Sequence, residues 1–272
     1  MDPISIIGVL FGVTIVLAAA VMEGVHLDAL IAPTALMIIG GGTLGATLAC
    51  YSLDEMKSFL SGLREIVKKQ EMTVEDVYRT LGDVALVARR EGVLALENKV
   101  ESLQHPLLKR GVRLMIDGTD PALLKDMMLT DLLMREEKLK VHASIMQTAG
   151  GFAPCMGIIG TVLGLFHVLG NLSNPDDLGP AIAVAFLATL YGIGFANLVL
   201  LPLGKKLQYV AKELTHLGSM ITEGVLSIQA GDNPRLVQEK LLSFIDHEKW
   251  DELLGEKTSG AKEGAAAKTA TA

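Results

Sequence analysis

The chain has 272 residues, 50% of them hydrophobic, with a formal net charge of −7 and a mean hydropathy of +0.42. It is more apolar than an ordinary soluble domain, and its acidity argues against nucleic-acid binding. The two cysteines, Cys50 and Cys155, both lie in apolar runs; they form neither a disulfide framework nor a zinc site and read as small buried hydrophobes.

All 24 Lys and Arg fall in residues 57–140 or 205–268, and the two cation-free zones hold the long apolar runs. A basic side chain at the centre of a bilayer costs at least ~2.5–3.5 kcal/mol, and cytoplasmic loops collect Lys and Arg. The pattern predicts an all-α, polytopic membrane protein. MDPIS lacks the basic region of a signal peptide, so the first apolar run is expected to be retained.

Four segments reach membrane-spanning length: 4–22, 30–51, one within 143–172, and 178–204. The linkers EGVHLDA and SNPDD carry carboxylates and no cation, whereas residues 52–142 carry 15 Lys/Arg and 16 Asp/Glu. The positive-inside rule therefore puts both termini and the large loop in the cytoplasm. The predicted division is 1–52 (membrane helices 1 and 2), 53–142 (a helical cytoplasmic domain), 143–204 (membrane helices 3 and 4), 205–255 (cytoplasmic C-terminal helices) and 256–272 (a disordered, low-complexity tail).

Within the large loop, residues 54–70 have helical periodicity, and Thr73 with Asp76 makes a capping-box start for a helix toward Arg90. Gly92 breaks that run, and short helices follow over 93–103 and 106–116. Pro121 suits a first helical position, with the run to Lys140 feeding the third membrane helix. The fourth membrane helix continues through 205–230, and Asp232-Asn233-Pro234 caps a last helix reaching to about Trp250.

Gly8/Gly12, Gly41/Gly45 and Gly160/Gly164 form three GxxxG pairs, which suit close packing between subunits. Residues 40–45 also satisfy GxGxxG, but membrane-length apolar flanks exclude a dinucleotide loop. No P-loop, nucleophile–base pair or metal cluster stands out, so neither an enzyme nor a bound cofactor is expected. None of the four segments contains Asp, Glu, Lys or Arg. A conducted ion then needs a partner's carboxylate or the oxygens of Thr161 and Thr189, which suit transient ligation of a hard cation such as sodium. The other reading of these hydroxyls is a bond to their own helix carbonyls. Pro154 and Pro202 are either hinges or static kinks. His142 and His167, near opposite ends of the third span, read as packed or interfacial residues rather than proton relays. Arg89, Arg90, Glu91 and Glu97 flank Gly92, where on composition alone they make a solvated charged face.

Several stretches together resemble the MotA/PomA family, the ring subunit of the flagellar stator, over residues 1–255. They are ARREGVLALE with Arg89 and Glu97, APCMGIIGTVLGL with Pro154, DDLGPAIAVAFLATLYGIGFANLVLLP with Thr189 and Pro202, and GDNPRLVQEKLLSF. The resemblance implies a pentamer in the bacterial inner membrane. It would surround two peptidoglycan-anchored MotB/PomB-type chains, whose aspartate supplies the missing carboxylate. It also implies that Arg89 and Glu97, with Arg90 beside them, meet the rotor's switch protein, and that Pro154 and Pro202 couple ion passage to movement. Thr161 with Thr189 resembles the sodium-type pattern, from which Ala188 departs, since paired threonines are expected there. The alternatives are a TolQ/ExbB-like proton-driven energiser, from whose three spans the four here differ, and a non-conducting membrane scaffold.

Overall fold

The structure is a computed structural model and describes residues 3–26, 30–67, 72–170, 175–250 and 253. The C-terminal tail expected to be disordered lies outside these residues, as do parts of both short linkers. The chain divides into two compact units, Met1–Lys69 with Glu137–Ala211, and Gln70–Glu136 with Lys212–Ala272. All regular structure among the described residues is helical.

The first unit contains α1 (Pro3–Met22), α2 (Pro33–Cys50), α3 (Leu53–Val67) and α8 (Pro175–Phe195). It also holds the C-terminal part of α7 (Pro121–Gly170) and the start of α9 (Leu201–Gln229). Among the described residues three helical runs are long and apolar enough to cross a membrane: α2, α7, and the run Leu178–Gln229. In α1 the apolar stretch Ile6–Met22 is shorter, although the whole helix has 20 residues, ~30 Å at 1.5 Å per residue.

The cation-free stretches of these helices are apolar on their exposed faces as well as their buried ones. In α2 the buried stripe is Ala35, Ile39, Thr43 and Thr47, one residue per turn. Outside that stripe, Met37 is 78% exposed. A helix that keeps such residues on its outer face is built for a lipid solvent or a partner helix. The same logic corrects the reading of the cysteines: Cys50 and Cys155 are both exposed. Apolar flanks do not imply burial where the outer surface is itself apolar. α2 starts at Pro33, whose missing N–H costs nothing in the first turn. The preceding Ala32 N–H donates to the Tyr191 hydroxyl at 3.3 Å, tying α2 to α8. At the other end of α2, the Tyr51 hydroxyl bonds Ser144 (2.9 Å) and Thr148 (2.8 Å) on α7.

The second unit is built on α4 (Val74–Glu91), α6 (Pro106–Ile116), α10 (Pro234–Leu242) and the remaining parts of α7 and α9. The capping box forms as read: Thr73 Oγ1 accepts from Asp76 N–H, and Asp76 accepts from Thr73 N–H. α4 then buries Val77, Tyr78, Leu81, Val84 and Ala85 along one face. They join a core with Leu108, Met128, Met220, Ile221 and Leu241. Each fully buried Leu contributes ~1.5–3 kcal/mol. Gly92, at φ +87°, ends α4 in a conformation that favours glycine.

Two elements differ from expectation. The run after Gly92 is a 3₁₀ turn, Val93–Leu96, followed by the single helical turn α5 (Glu97–Val100). The last helix stops at Leu242, well before Trp250. There Ser243, Phe244 and Ile245 donate to carbonyls three residues back, and buried Leu242 and Ile245 pull the chain into the core. Helical periodicity does not show this tightening.

Candidate functional site

The apolar helices α7 and α8 cross where small residues face one another. A Cβ placed on Gly192 would meet the Ala153 carbonyl oxygen at 2.5 Å and the Gly157 Cα at 3.0 Å. Gly160 and Gly164 face Ala188 and Ala185 of α8, at 2.8 and 2.6 Å from such a Cβ to the alanine methyl carbons. These two glycines therefore serve close packing of α7 against α8 within the chain. Gly12 lies against Leu198, whereas Gly8, Gly41 and Gly45 have no heavy atom within 4 Å of a Cβ position.

The crossing brings Thr161 and Thr189 together, and their hydroxyls are hydrogen-bonded to each other. Thr161 Oγ1 also lies 3.1 Å from its own helix's Gly157 carbonyl and 3.0 Å from the Ala185 carbonyl of α8. One hydroxyl proton serves one carbonyl at a time, so Thr161 donates to either while accepting from Thr189. The result is a cluster of four oxygens, two hydroxyl and two carbonyl, within the apolar stretches of α7 and α8. Such oxygens suit a hard monovalent cation or a relayed proton. Ala188, the departure from the paired-threonine pattern, is buried against Gly160. A larger side chain there would push α7 and α8 apart.

The two prolines occupy different settings. Pro154 sits within α7, partly buried, and has no N–H for the Gly150 carbonyl. Pro202 is exposed near the start of α9, directly after a π-helical turn at Ala196–Leu200. Leu201 N–H there donates to the Ala196 carbonyl. That single wide turn lets the helix run on past a proline that removes an α-helical donor.

The two histidines of the third apolar span lie in different settings. His142 is buried, its Nε2 lies 3.1 Å from Ser58 Oγ, and its ring packs edge-on against Phe59. His167 lines an apolar groove of about 750 Å³ between α2, α7 and α8. Residues 40–45 lie inside α2, with no strand before them, so the GxGxxG pattern has no nucleotide-binding context. Among the described residues no group of His, Cys, Asp or Glu is placed to hold a metal ion.

In the other unit, Arg89 and Arg90 end α4, and Glu97 opens α5 across the Gly92 turn. All three are exposed, and the Arg89 guanidinium reaches the Gly231 carbonyl at a long 3.5 Å. That carbonyl belongs to the turn before α10. There Asp232 bonds Lys240 at 2.7 Å and Ser227 at 2.5 Å, and Asn233 caps the helix. The Lys240 ammonium, and secondarily the Ser227 hydroxyl, hold the Asp232 carboxyl below its usual range; the same contact raises Lys240.

Sequence reasoning missed Gly157, Gly192 and Ala185, which set the distance between the helices. The available signal was the small-residue series Gly157, Gly160, Gly164 on one helix against Ala185, Ala188, Gly192 on the next. It also missed the buried Thr43 and Thr47, whose four-residue spacing matches Ala35 and Ile39.

Two family models match the chain, one described as "Motility protein A N-terminal" over residues 6–91 and one as "MotA/TolQ/ExbB proton channel family" over residues 99–220. Motility protein A of Bacillus subtilis is 33% identical over 246 residues, covering 90% of this chain and 91% of that protein. The chain belongs to the MotA family. Chemotaxis protein PomA of Vibrio alginolyticus is 30% identical over 251 residues, covering 92% of this chain and 97% of its own length. The solved structure of C. jejuni MotAB superposes with a TM-score of 0.85 at 28% identity, covering 91% of this chain and 97% of that one. The apolar helices therefore belong to a MotA-type membrane protein.

Proposed function

We propose that this chain is the ring subunit of a flagellar stator, coupling inward sodium flow to torque on the rotor. Five copies surround two MotB/PomB-type chains anchored to peptidoglycan. Four crossings, α1 included, leave both termini and residues 53–142 in the cytoplasm of a bacterial inner-membrane protein. The likeness to MotAB over nine-tenths of the chain supports the stator role and the MotB-type partner. The absence of Asp, Glu, Lys and Arg from all four apolar segments supports a partner-borne carboxylate.

The observation that carries the ion-path reading is the Thr161–Thr189 pair, with the Gly157 and Ala185 carbonyls beside it. Sodium sheds part of its water onto these oxygens as it reaches the partner's aspartate. Pro154 and Pro202 let α7 and α9 respond. Arg89, Arg90 and Glu97 present charges to the rotor's switch protein, where paired charges give fast, reversible engagement. Proton coupling is the second reading, favoured by the description of the model matching residues 99–220.

The test is complementation of a stator-deleted strain with this chain and a MotB-type chain. Swimming speed is measured against external sodium at fixed pH, with and without a protonophore. Speed that saturates with sodium and survives the protonophore fits the proposal. A flat sodium response with collapse on protonophore assigns protons. No motility with any MotB-type partner, or selective current from this chain alone in liposomes, overturns the stator reading.

A further inference from the structure

The turn that joins α9 to α10 opens the stretch GDNPRLVQEKLLSF, and its shape follows from four consecutive residues. Gly231 stands at φ +78°, where a glycine meets no Cβ penalty. Gly231 N–H donates to the Ile228 carbonyl at 3.0 Å, and Asp232 N–H to the Ser227 carbonyl at 3.2 Å. These are the two crossed bonds of a Schellman ending to α9. Asn233 then caps α10, and Pro234 occupies its first turn.

The Asp232 carboxylate clamps this turn from within. It accepts from the Lys240 ammonium of α10 and from the hydroxyl of Ser227 on α9, which is buried. α10 is fixed in turn on α4, since Val237 and Leu241 share a core with Leu81, Val84 and Ala85, and Gly82 faces the Gln238 side chain. The clamped turn therefore holds its backbone at a set distance from the end of α4. There the Arg89 guanidinium donates to the Gly231 carbonyl, a residue 142 positions away in the chain.

That contact, at 3.5 Å, is too long to be a strong hydrogen bond. Its weakness suits a contact that has to be given up. A free arginine samples many rotamers, and ordering it at an interface lowers affinity. A weak bond to a fixed carbonyl narrows that sampling beforehand, and a partner's carboxylate, being charged, still displaces it.

We propose that Asp232 is a positioning residue for Arg89: clamped to Ser227 and Lys240, it fixes the Gly231 carbonyl, and that carbonyl orders the arginine for the rotor's switch protein. The inference rests on the reading of Arg89 as rotor-facing. It gives Asp232 and Lys240 no rotor contact of their own.

The complex with its MotB-type partner, in lipid nanodiscs, is titrated with purified switch protein at low salt, where a contact between exposed charges is least screened. Arg89→Ala should weaken binding. Asp232→Asn and Lys240→Gln should each weaken it about two- to fivefold while Arg89 is present, and have no effect in the R89A background. Lys240→Arg keeps the ion pair and should bind as the unaltered chain does. Gly231→Ala strains the turn without changing any charge and should act like D232N, again only with Arg89 present. Unchanged affinity in D232N and K240Q overturns the proposal. So does equal weakening with and without Arg89, which would mean a direct rotor contact or a general loss of structure. If R89A binds the switch protein as tightly as the unaltered chain, the rotor-facing reading itself fails; if only D232N, K240Q and G231A are without effect, that reading stands and the positioning role falls.

Discussion

Gly192→Ala sets two effects of one methyl group against each other. In an exposed helix interior, Gly→Ala favours the helix by ~1 kcal/mol. At Gly192 the new Cβ would lie 2.5 Å from the Ala153 carbonyl oxygen and 3.0 Å from Gly157 Cα, where ordinary contact begins at 3.4 Å. Both obstacles are backbone, so no side-chain rotation relieves them, and α7 must part from α8 by roughly 1 Å. Overpacking of this kind costs ~1–3 kcal/mol. The same displacement stretches the Thr161–Ala185 hydrogen bond, now 3.0 Å, and an interhelical bond in a membrane is worth ~0.6 kcal/mol on average. The steric and hydrogen-bond terms together exceed the helix gain by ~0.6–2.6 kcal/mol, and melting of the detergent-solubilised complex should fall by roughly 1–10 °C. Gly194→Ala is the control, because nothing lies within 4 Å of its Cβ position. It should be neutral or slightly stabilising. Both variants are heated in steps and the surviving complex is read by fluorescence size-exclusion chromatography, with swimming speed measured in parallel. Identical melting curves and speeds for the two variants would refute the claim that this crossing fixes the helix spacing.

Thr161→Val keeps the branched shape and removes the hydroxyl; it should shift the sodium dependence of swimming to higher sodium, while Thr161→Ser stays near the unaltered curve, and a Val variant with an unchanged curve would remove Thr161 from the ion path. Arg89→Glu should impair motility, and an opposite charge reversal on the rotor partner should partly restore it; no rescue across a set of partner carboxylates counts against an electrostatic contact. For Asp232 the lowered carboxyl pKa gives stability that is full above its unfolded value of about 3.8 and lost as pH falls through the lower folded value. For Lys240 the raised pKa gives stability that is full below about 10.5 and lost above its folded value. The turn should therefore show no pH dependence in stability between roughly pH 5.5 and 8. Asp232→Asn should speed amide exchange at residues 230–233 throughout that range, and unchanged exchange would show that the ion pair does not hold the turn.

Much of this protein follows from local chemistry. A bilayer penalises cations wherever they sit in it, so the placement of 24 Lys and Arg marks the apolar helices without any knowledge of packing. The Thr73–Asp76 cap and the Asn233 cap are contacts within a few residues, and both form where the sequence puts them. The lack of Asp, Glu, Lys and Arg in the apolar segments is likewise readable from residue types alone. Other features depend on how the helices meet. Inside a membrane segment, apolarity does not tell an inward face from an outward one, because lipid and neighbouring helices are equally apolar. Cys50 and Cys155 are therefore exposed where apolar flanks suggest burial, and the contact of Gly160 and Gly164 with α8 is not legible in their spacing. The Gly157–Gly192 contact and the Thr161–Ala185 bond join residues 35 and 24 positions apart. Only the crossing of the two helices decides which small residue meets which, and with it which oxygens face one another.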